Sequence, residues 1–233
     1  MKIHVVNPNS TASMTREIAA VARAAARDGT TILASNPAQG PASIQGHYDI
    51  AACLPGLMTE ATRHPDIDAL IVACFDDTGV DALRAMLDVP VMGIGEAAYH
   101  AASLISARFS VVTTLSRSVP GLEANLTRYG LMARCASVRA SNVPVLDLEH
   151  GSADAERLIT AQVERAIEHD MADCIVLGCA GMSEMRARLG ARFGVPVIDG
   201  IGCAVGFAEA LVQAGLKTSK AGAYASPFVT ESA

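Results

Sequence analysis

The second half of this chain repeats the element order of the first. Residues 109–112 match residues 3–6 at an offset of 106 positions (109 − 3), and residues 195–197 match residues 89–91 at the same offset (195 − 89). Two copies of so long a period do not form a solenoid, whose repeats are shorter and more numerous. The repeat therefore predicts two related domains in one chain of 233 residues.

Within each half, short apolar runs alternate with segments of helical periodicity. In the first half, apolar runs at 3–6 and 30–35 flank a segment at 12–27 whose apolar residues step by three or four positions. Residues 50–62 predict another helix, which Pro55 is expected to kink. The alternation indicates parallel strands covered by helices. We expect an α/β fold of two pseudo-symmetric, doubly wound domains with mainly parallel sheets and the active site at their interface.

Two cysteines occupy matching places in the repeat. Cys74 ends the apolar run 68–74, and Cys179 ends the run 173–179, 105 positions later (179 − 74). In open parallel sheets, ligands bind outside the carboxyl ends of the strands. Two domains that face each other through these ends would enclose one pocket. Its expected lining is residues 7–9, 74–77, 113–114 and 179–181.

Two thiols in one pocket suit the transfer of a proton from one face of a carbon to the other. Residues 78–80 and 181–183 resemble helix starts. A helix N-terminus is expected to lower the pKa of a nearby thiol, and its free N–H groups can bind an oxyanion. One thiolate would remove a proton beside a carbonyl, and the opposite thiol would return one. Such a site is typical of a racemase or epimerase that uses no cofactor and no metal.

A packing role is the alternative for each of these residues. Free cysteine often serves as a small buried hydrophobe, and a single thiol at a strand end would favour that role. The other four cysteines are interpreted as packing residues: Cys53, Cys135, Cys174 and Cys203. Asp77 is expected to cap a helix. The Gly-Ile-Gly segments at 93–95 and 200–202 complete no dinucleotide fingerprint and predict tight strand-to-helix turns.

Composition and charge exclude several classes of function. Hydrophobic residues make up 51% of the chain and charged residues 18%, which predicts a compact protein. The net charge of −6 and the absence of a basic cluster argue against nucleic-acid binding. The sequence shows no signal peptide and no membrane span, so a cytoplasmic location and six free thiols are expected. A zinc site is disfavoured because no histidine lies near Cys174 and Cys179.

Four motifs resemble the hydantoin racemase branch of the aspartate/glutamate racemase superfamily. They are Asn-Pro-Asn-Ser at 7–10, Cys-Phe-Asp-Asp at 74–77, Leu-Gly-Cys-Ala-Gly-Met at 177–182 and Val-Ile-Asp-Gly at 197–200. The resemblance extends over nearly the whole chain, including residues 43–49 and 215–220. It implies a cofactor-independent racemase in which Cys74 and Cys179 form the acid/base pair, each serving one enantiomer.

The resemblance also implies how the chain is divided. Members of the family exchange the end of the chain, so the segment beyond about Phe207 is expected to pack on the first domain. The first domain would then comprise residues 1–96 and 208–233, and the second would comprise residues 97–207. Family members are often homo-oligomers, which makes a homo-oligomer the expected assembly.

Departures from the amino-acid racemases bear on the substrate. Glutamate racemases resemble this chain in both cysteines but carry polar residues where it has Asn-Pro at 7–8, Phe-Asp at 75–76 and Ala-Gly at 180–181. Those polar groups serve a charged amino acid, so a neutral 5-monosubstituted hydantoin ring is the expected substrate here. The expected substrate-binding residues are Asn7, Ile44, Tyr48, Phe75, Asp76, Thr113, Thr114, Ala180 and Gly181.

Specific roles follow for this set, and rival functions stay open. Backbone N–H groups of residues 75, 76, 180 and 181 are expected to bind carbonyl oxygens, and Asn7 and the threonines are expected to hold ring groups. Allantoin, a hydantoin with a ureido substituent, is the nearest rival substrate, and polarity near Tyr48, Phe75, Ile44 and Glu96 would separate it from alkyl hydantoins. Less favoured are an aspartate/glutamate-type racemase, a maleate-type cis–trans isomerase and a binding protein without catalysis.

Overall fold

A computed structural model of the chain describes residues 1–148 and 153–227. The first half contains β1 (Lys2–Val6), α1 (Ala12–Ala25), β2 (Thr31–Ser35), α2 (His47–Ala61), β3 (Ala69–Val72), α3 (Val80–Met86), β4 (Val91–Gly93) and α4 (Ile94–Ile105). The second half contains β5 (Phe109–Thr113), α5 (Val119–Arg128), β6 (Cys135–Ala140), α6 (Val145–Leu148), α7 (Ala153–Glu168), β7 (Cys174–Leu177), α8 (Arg186–Phe193), β8 (Val197–Ile198) and α9 (Gly200–Gln213). Short 3₁₀ helices lie at Ser116–Ser118, Met132–Arg134, Ala180–Met185 and Gly222–Tyr224.

The two halves form two parallel sheets with the same strand order. The first sheet runs β2-β1-β3-β4 and the second runs β6-β5-β7-β8, and every pairing between neighbours is parallel. The central strands β3 and β7 are buried along their whole length, as expected for strands covered by helices on both faces. The predicted α/β architecture with two related parallel sheets is confirmed.

The helix that follows each sheet packs on the other half. Helix α4 leaves β4 and contacts β7 and β8, whereas α9 leaves β8 and contacts β3, β4 and α1. The two helices also pack on each other, so closely that a Cβ at Gly200 would lie 2.3 Å from the carbonyl oxygen of Ile94. This exchange joins the halves through one apolar core.

The tail after α9 lies against the first half. Thr218 donates its backbone N–H to Asp88 O at 2.9 Å and its hydroxyl to Val89 O at 2.6 Å. The hydroxyl of Tyr224 donates to Asp81 at 2.9 Å. These contacts suit the domain limits of 1–96 with 208–233 and 97–207, which we retain as a proposal; residues 149–152 and 228–233 of these ranges lie outside the described residues.

Asp77 links the two halves beside the first cysteine. Its carboxylate accepts the N–H of Gly95 at 2.9 Å and of Glu96 at 2.8 Å, and so caps the start of α4. It does not cap α3, the helix that follows it in sequence, whose start has no side-chain cap. It also accepts the hydroxyl of Tyr129, from the end of α5, at 2.8 Å. A Cβ at Gly93 would lie 2.1 Å from this carboxylate, so the glycine is needed for close approach. The Gly-Ile-Gly segment is therefore a strand-to-helix turn, as predicted.

Replacing Tyr129 by phenylalanine is expected to lower the free energy of unfolding by about 1–2 kcal/mol, because a buried carboxylate loses one of its three donors. Tyr48→Phe is the matched control, since Tyr48 is 83% exposed and its hydroxyl has no partner among the described residues. Urea denaturation of both variants measures the difference. Equal stability of the two variants would contradict a stabilising role for this link.

Candidate active site

One cleft lies where the carboxyl ends of four central strands meet. It is bounded by the residues that follow β1, β3, β5 and β7, and its empty volume, including the open mouth, is about 450 Å³. Its lining is Asn7, Pro8, Asn9, Met14, Ile44, Ala73, Cys74, Phe75, Asp76, Thr113, Thr114, Ser118, Val145, Gly178, Cys179 and Ala180. Both repeat-related thiols therefore reach one space, at the strand ends where the sequence placed them.

The two cysteines have matching local surroundings. Each thiol has its pKa lowered by the backbone N–H of the residue two positions later, which is Asp76 for Cys74 and Gly181 for Cys179. The hydroxyl of Thr78 also approaches the Cys74 sulfur, at 3.9 Å. Such donors favour a thiolate over a thiol. Each half thus provides its own support for a negative sulfur.

Burial nevertheless dominates the pKa of both thiols. Desolvation raises the pKa of Cys179 to about 11 and raises that of Cys74 well above its usual value. The nearby Asp76 carboxylate raises both further, and the N–H donors only partly offset these effects. The expectation that the helix starts lower the thiol pKa is therefore wrong in net sign. Cys179 does directly precede a 3₁₀ helix, but Cys74 lies six residues before α3.

The N–H groups around the thiols divide into two kinds. Those of Asp76 and Gly181 act on the neighbouring thiols, whose pKa values they lower. Those of Phe75 and Ala180 make no hydrogen bond to any residue that the structure describes, and both residues line the cleft. Of the four N–H groups expected to bind a carbonyl oxygen, those of Phe75 and Ala180 remain free for a substrate.

Asp76 is the one ionisable cleft residue, among those described, besides the two cysteines. Its carboxylate accepts no hydrogen bond from the described residues, whereas its backbone oxygen accepts the side-chain N–H of Asn125 at 2.9 Å. Desolvation raises the pKa of its carboxyl to about 6, although the charge of His47 opposes the shift. Asp76 is therefore ionised at neutral pH and free to accept a donor from a ligand.

The side chain of Asn7 holds the loop after β1. Its Nδ2 donates to Asn9 Oδ1 at 2.9 Å and to Thr15 Oγ1 at 3.1 Å, and its Oδ1 accepts the N–H of Asn9 at 3.3 Å. Both amide hydrogens are thus used within the protein. Asn7 lines the cleft, but it positions the loop instead of donating to a ring.

The two threonines differ in what they can offer a ligand. Thr113 donates its hydroxyl to Gly178 O at 3.0 Å, so its oxygen can only accept. The hydroxyl of Thr114 has no partner within residues 1–148 and 153–227, and it can donate or accept. Thr114 is therefore the better candidate of the two for a ring carbonyl.

The structure brings most of the expected site residues together. Ile44, Phe75, Asp76, Thr113, Thr114 and Ala180 line the cleft with both cysteines, whereas Gly181 is not on the described lining. Tyr48 does not, because it projects into solvent on α2 with 83% of its surface exposed. Glu96 is also absent from the cleft and pairs with Arg84 at 2.6 Å.

Five cleft residues had no place in the expected set: Ala73 and Gly178, which directly precede the two cysteines, and Met14, Ser118 and Val145. Met14 lies in the first turn of α1, immediately after the loop of residues 7–9, and accepts from Asn9 Nδ2 at 3.6 Å. Its nearness to that loop in sequence was a usable signal. Ser118 and Val145 reach the cleft from the start of α5 and from α6. Nothing in the sequence distinguishes Val145 from its apolar neighbours Val143 and Leu146.

The other four cysteines lie outside the described lining of the cleft. All six cysteines are free, and Cys53, Cys135 and Cys174 are buried, while Cys203 is partly buried on α9. Within the described ranges, no group of three or more His, Cys, Asp or Glu side chains could hold a metal ion. No helix in these ranges has the length and apolar character needed to cross a bilayer.

Comparison with known proteins identifies the family. The family described as Asp/Glu/Hydantoin racemase matches residues 3–208. A hydantoin racemase of Rhizobium meliloti is 47% identical over 100% of this chain and 98% of its own length. The chain belongs to the Asp/Glu/hydantoin racemase family. As a member of this family of racemases, it is an isomerase.

Two solved structures superpose on nearly the whole of this chain. Allantoin racemase from Pseudomonas fluorescens superposes with a TM-score of 0.95 at 43% identity, covering 99% of each chain. Allantoin racemase from Klebsiella pneumoniae gives 0.95 at 41% identity, covering 99% of this chain and 95% of that one. These relatives support racemase activity on a small molecule for this family member.

Proposed function

We propose that the protein racemises 5-monosubstituted hydantoins at C5 by two-base catalysis with Cys74 and Cys179. The observation that carries the proposal is the shared cleft, which receives one thiol from each of two repeat-related strand ends. A ring lying between these thiols would present one face of C5 to each. A proton removed on one face and returned on the other inverts the centre.

The proposed reaction needs only the two cysteines and solvent protons. The thiolate of one cysteine takes the C5 proton, and the electron pair of the broken C–H bond moves onto the adjacent carbonyl as an enolate. The free N–H of Phe75 or Ala180 would stabilise the enolate oxygen. The thiol of the other cysteine then protonates C5 on the opposite face and becomes the new thiolate. Exchange with solvent restores the starting distribution of protons.

A neutral ring suits this cleft better than a free amino acid. Among the described lining residues there is no lysine or arginine to pair with an amino-acid carboxylate, and Ala180 and Phe75 offer no polar side chain. The C5 proton of a hydantoin lies beside an imide-type carbonyl with no ammonium group, so it is easier to remove. The same lack of cations argues against a dicarboxylate alkene and a cis–trans isomerase. A binding protein would have no use for the matched thiols.

Allantoin is a second candidate, because two structures that match this fold at a TM-score of 0.95 are described as allantoin racemases. The test is a panel of enantiopure substrates, comprising a 5-alkyl and a 5-benzyl hydantoin, allantoin, aspartate and glutamate, followed by circular dichroism. We expect loss of optical activity with at least one hydantoin, faster than in an enzyme-free blank, and none with either amino acid. Racemisation of aspartate or glutamate alone would refute the proposal.

The raised thiol pKa values predict an alkaline pH dependence. At pH 7 only a small fraction of Cys179, with its pKa near 11, is thiolate. This fraction grows about tenfold per pH unit, so kcat/KM should rise about tenfold per unit between about pH 7 and 8.5. Asp76, with a pKa near 6, is already ionised over this range. A flat profile would show that the base is ionised at pH 7, contrary to the effect of burial.

A further inference from the structure

A second cavity adjoins the cleft that holds the cysteines. The two spaces share Asp76 and Ser118, and the second has an empty volume of about 630 Å³, including its open mouth. The start of α2 forms one wall and the first turns of α5 form the other. The cavity therefore lies between the two halves of the protein, within reach of a group attached to a ring in the catalytic cleft.

The polar groups of this cavity include both donors and acceptors. Arg117 donates to Gln45 Oε1 across the two halves at 2.9 Å, which uses one of the five N–H groups of its guanidinium. His47 lies on the same cavity. On the acceptor side is the carboxylate of Asp76, which has no partner among the described residues. The amide oxygen of Asn125 is a second acceptor, because the nitrogen of that amide is held by Asp76 O.

We propose that this cavity is the subsite for the C5 substituent and that it selects an uncharged, hydrogen-bonding group such as a ureido or carboxamide. The inference rests on the proposed function, which places the ring between the cysteines. A ureido group carries one carbonyl for Arg117 and several N–H groups for Asp76 and Asn125. A carboxylate could pair with Arg117 but would also meet the like charge of Asp76, whereas a ureido group can bond to both residues. An alkyl group would displace water from these polar groups without replacing its hydrogen bonds, which carries a cost.

Arg117 is the residue that the proposal makes specificity-determining. Its guanidinium is exposed and bridges the halves at the mouth of the cavity, so replacement by methionine keeps the length and removes the donors. Ala124→Leu, on the exposed side of α5, fills space in the cavity without touching the catalytic cleft. Arg157→Met is the matched control, since this exposed arginine pairs with Asp154 on α7 and with no other carboxylate in residues 1–148 and 153–227.

The test measures binding by calorimetry, separately from the turnover of pure enantiomers, which circular dichroism follows. Calorimetry with racemic allantoin and racemic 5-methylhydantoin gives both dissociation constants, and a racemic ligand releases no net heat of reaction. We expect the wild type and Arg157→Met to bind allantoin at least about tenfold more tightly than 5-methylhydantoin, and Arg117→Met and Ala124→Leu to lose most of that preference.

Two results distinguish the subsite from the reaction. The same allantoin preference in the wild type, Arg117→Met and Ala124→Leu would overturn the subsite, as would a wild type that prefers 5-methylhydantoin or binds neither ligand. Tight, Arg117-dependent binding of allantoin with no racemisation of either enantiomer would support the subsite and refute the proposed function instead.

Discussion

Replacing Cys179 by alanine is expected to lower kcat/KM for racemisation by at least about a thousandfold, and Cys74→Ala should have an equal effect. Each enantiomer needs both residues, one as base and the other as acid. Asp76 is the only other ionisable group on the described lining of the cleft. Its carboxylate is far less basic than a thiolate whose pKa is raised by burial, so it is a poor substitute.

The single variants should still differ in what they retain. A variant with one thiol can remove the proton on its own face and return a solvent proton there, so it should exchange the C5 hydrogen of one enantiomer without inverting it. Cys74→Ala and Cys179→Ala should act on opposite enantiomers. Cys203→Ala, on α9 outside the described lining of the cleft, is the matched control and should retain activity. Racemisation near the wild-type rate by either cleft variant would remove that cysteine from the mechanism.

Gly95→Ala is expected to destabilise the fold by about 3 kcal/mol. A Cβ at this position would lie 2.4 Å from the carbonyl oxygen of Phe75 and 2.7 Å from Asp77 Oδ2. The backbone beside Cys74 would have to move, and the cap that Asp77 places on α4 would open. For a chain of this size the loss corresponds to a fall in Tm of about 6–12 °C.

The control for this clash is a glycine that lies in open space. Gly206 is inside α9, and a Cβ there would meet nothing within 4 Å, so Gly206→Ala should stabilise the protein by about 0.5–1 kcal/mol through its helix preference. Differential scanning calorimetry should therefore show a lower Tm for Gly95→Ala and a higher Tm for Gly206→Ala. An unchanged Tm for Gly95→Ala would show that α4 and the Cys74 loop adjust freely.

The repeat predicted the architecture because a two-fold sequence match requires two equivalent supersecondary units. Strands that begin at Ile3 and Phe109 in the alignment indeed became the second strand of each sheet, β1 and β5. The position of the cleft followed from the rule for carboxyl strand ends, which depends only on strand direction. For the same reason, Cys74 and Cys179 could be assigned to one pocket from sequence alone.

Other features depend on three-dimensional surroundings that a sequence does not display. Tyr48 was misplaced because the rotation of α2 decides which residues near its start face the cleft, and no strict apolar period fixes it there. The sign of the pKa shifts at the thiols depends on how deeply each sulfur is buried, which outweighs the N–H donors. Asn7 looked like a ligand because its partners, Asn9 and Thr15, become neighbours only when the loop closes on α1.

The most direct test of two-base racemisation is the position of deuterium after the first turnovers in D₂O. One pure enantiomer of a 5-substituted hydantoin is incubated with the wild-type enzyme, the two enantiomers are separated at low conversion, and each is analysed by mass spectrometry against an enzyme-free blank. With Cys74 and Cys179 on opposite faces, the product enantiomer should carry one deuterium at C5, while the remaining substrate stays unlabelled. Deuterium appearing equally fast in the remaining substrate, or a product that keeps its original hydrogen, would contradict the two-cysteine mechanism.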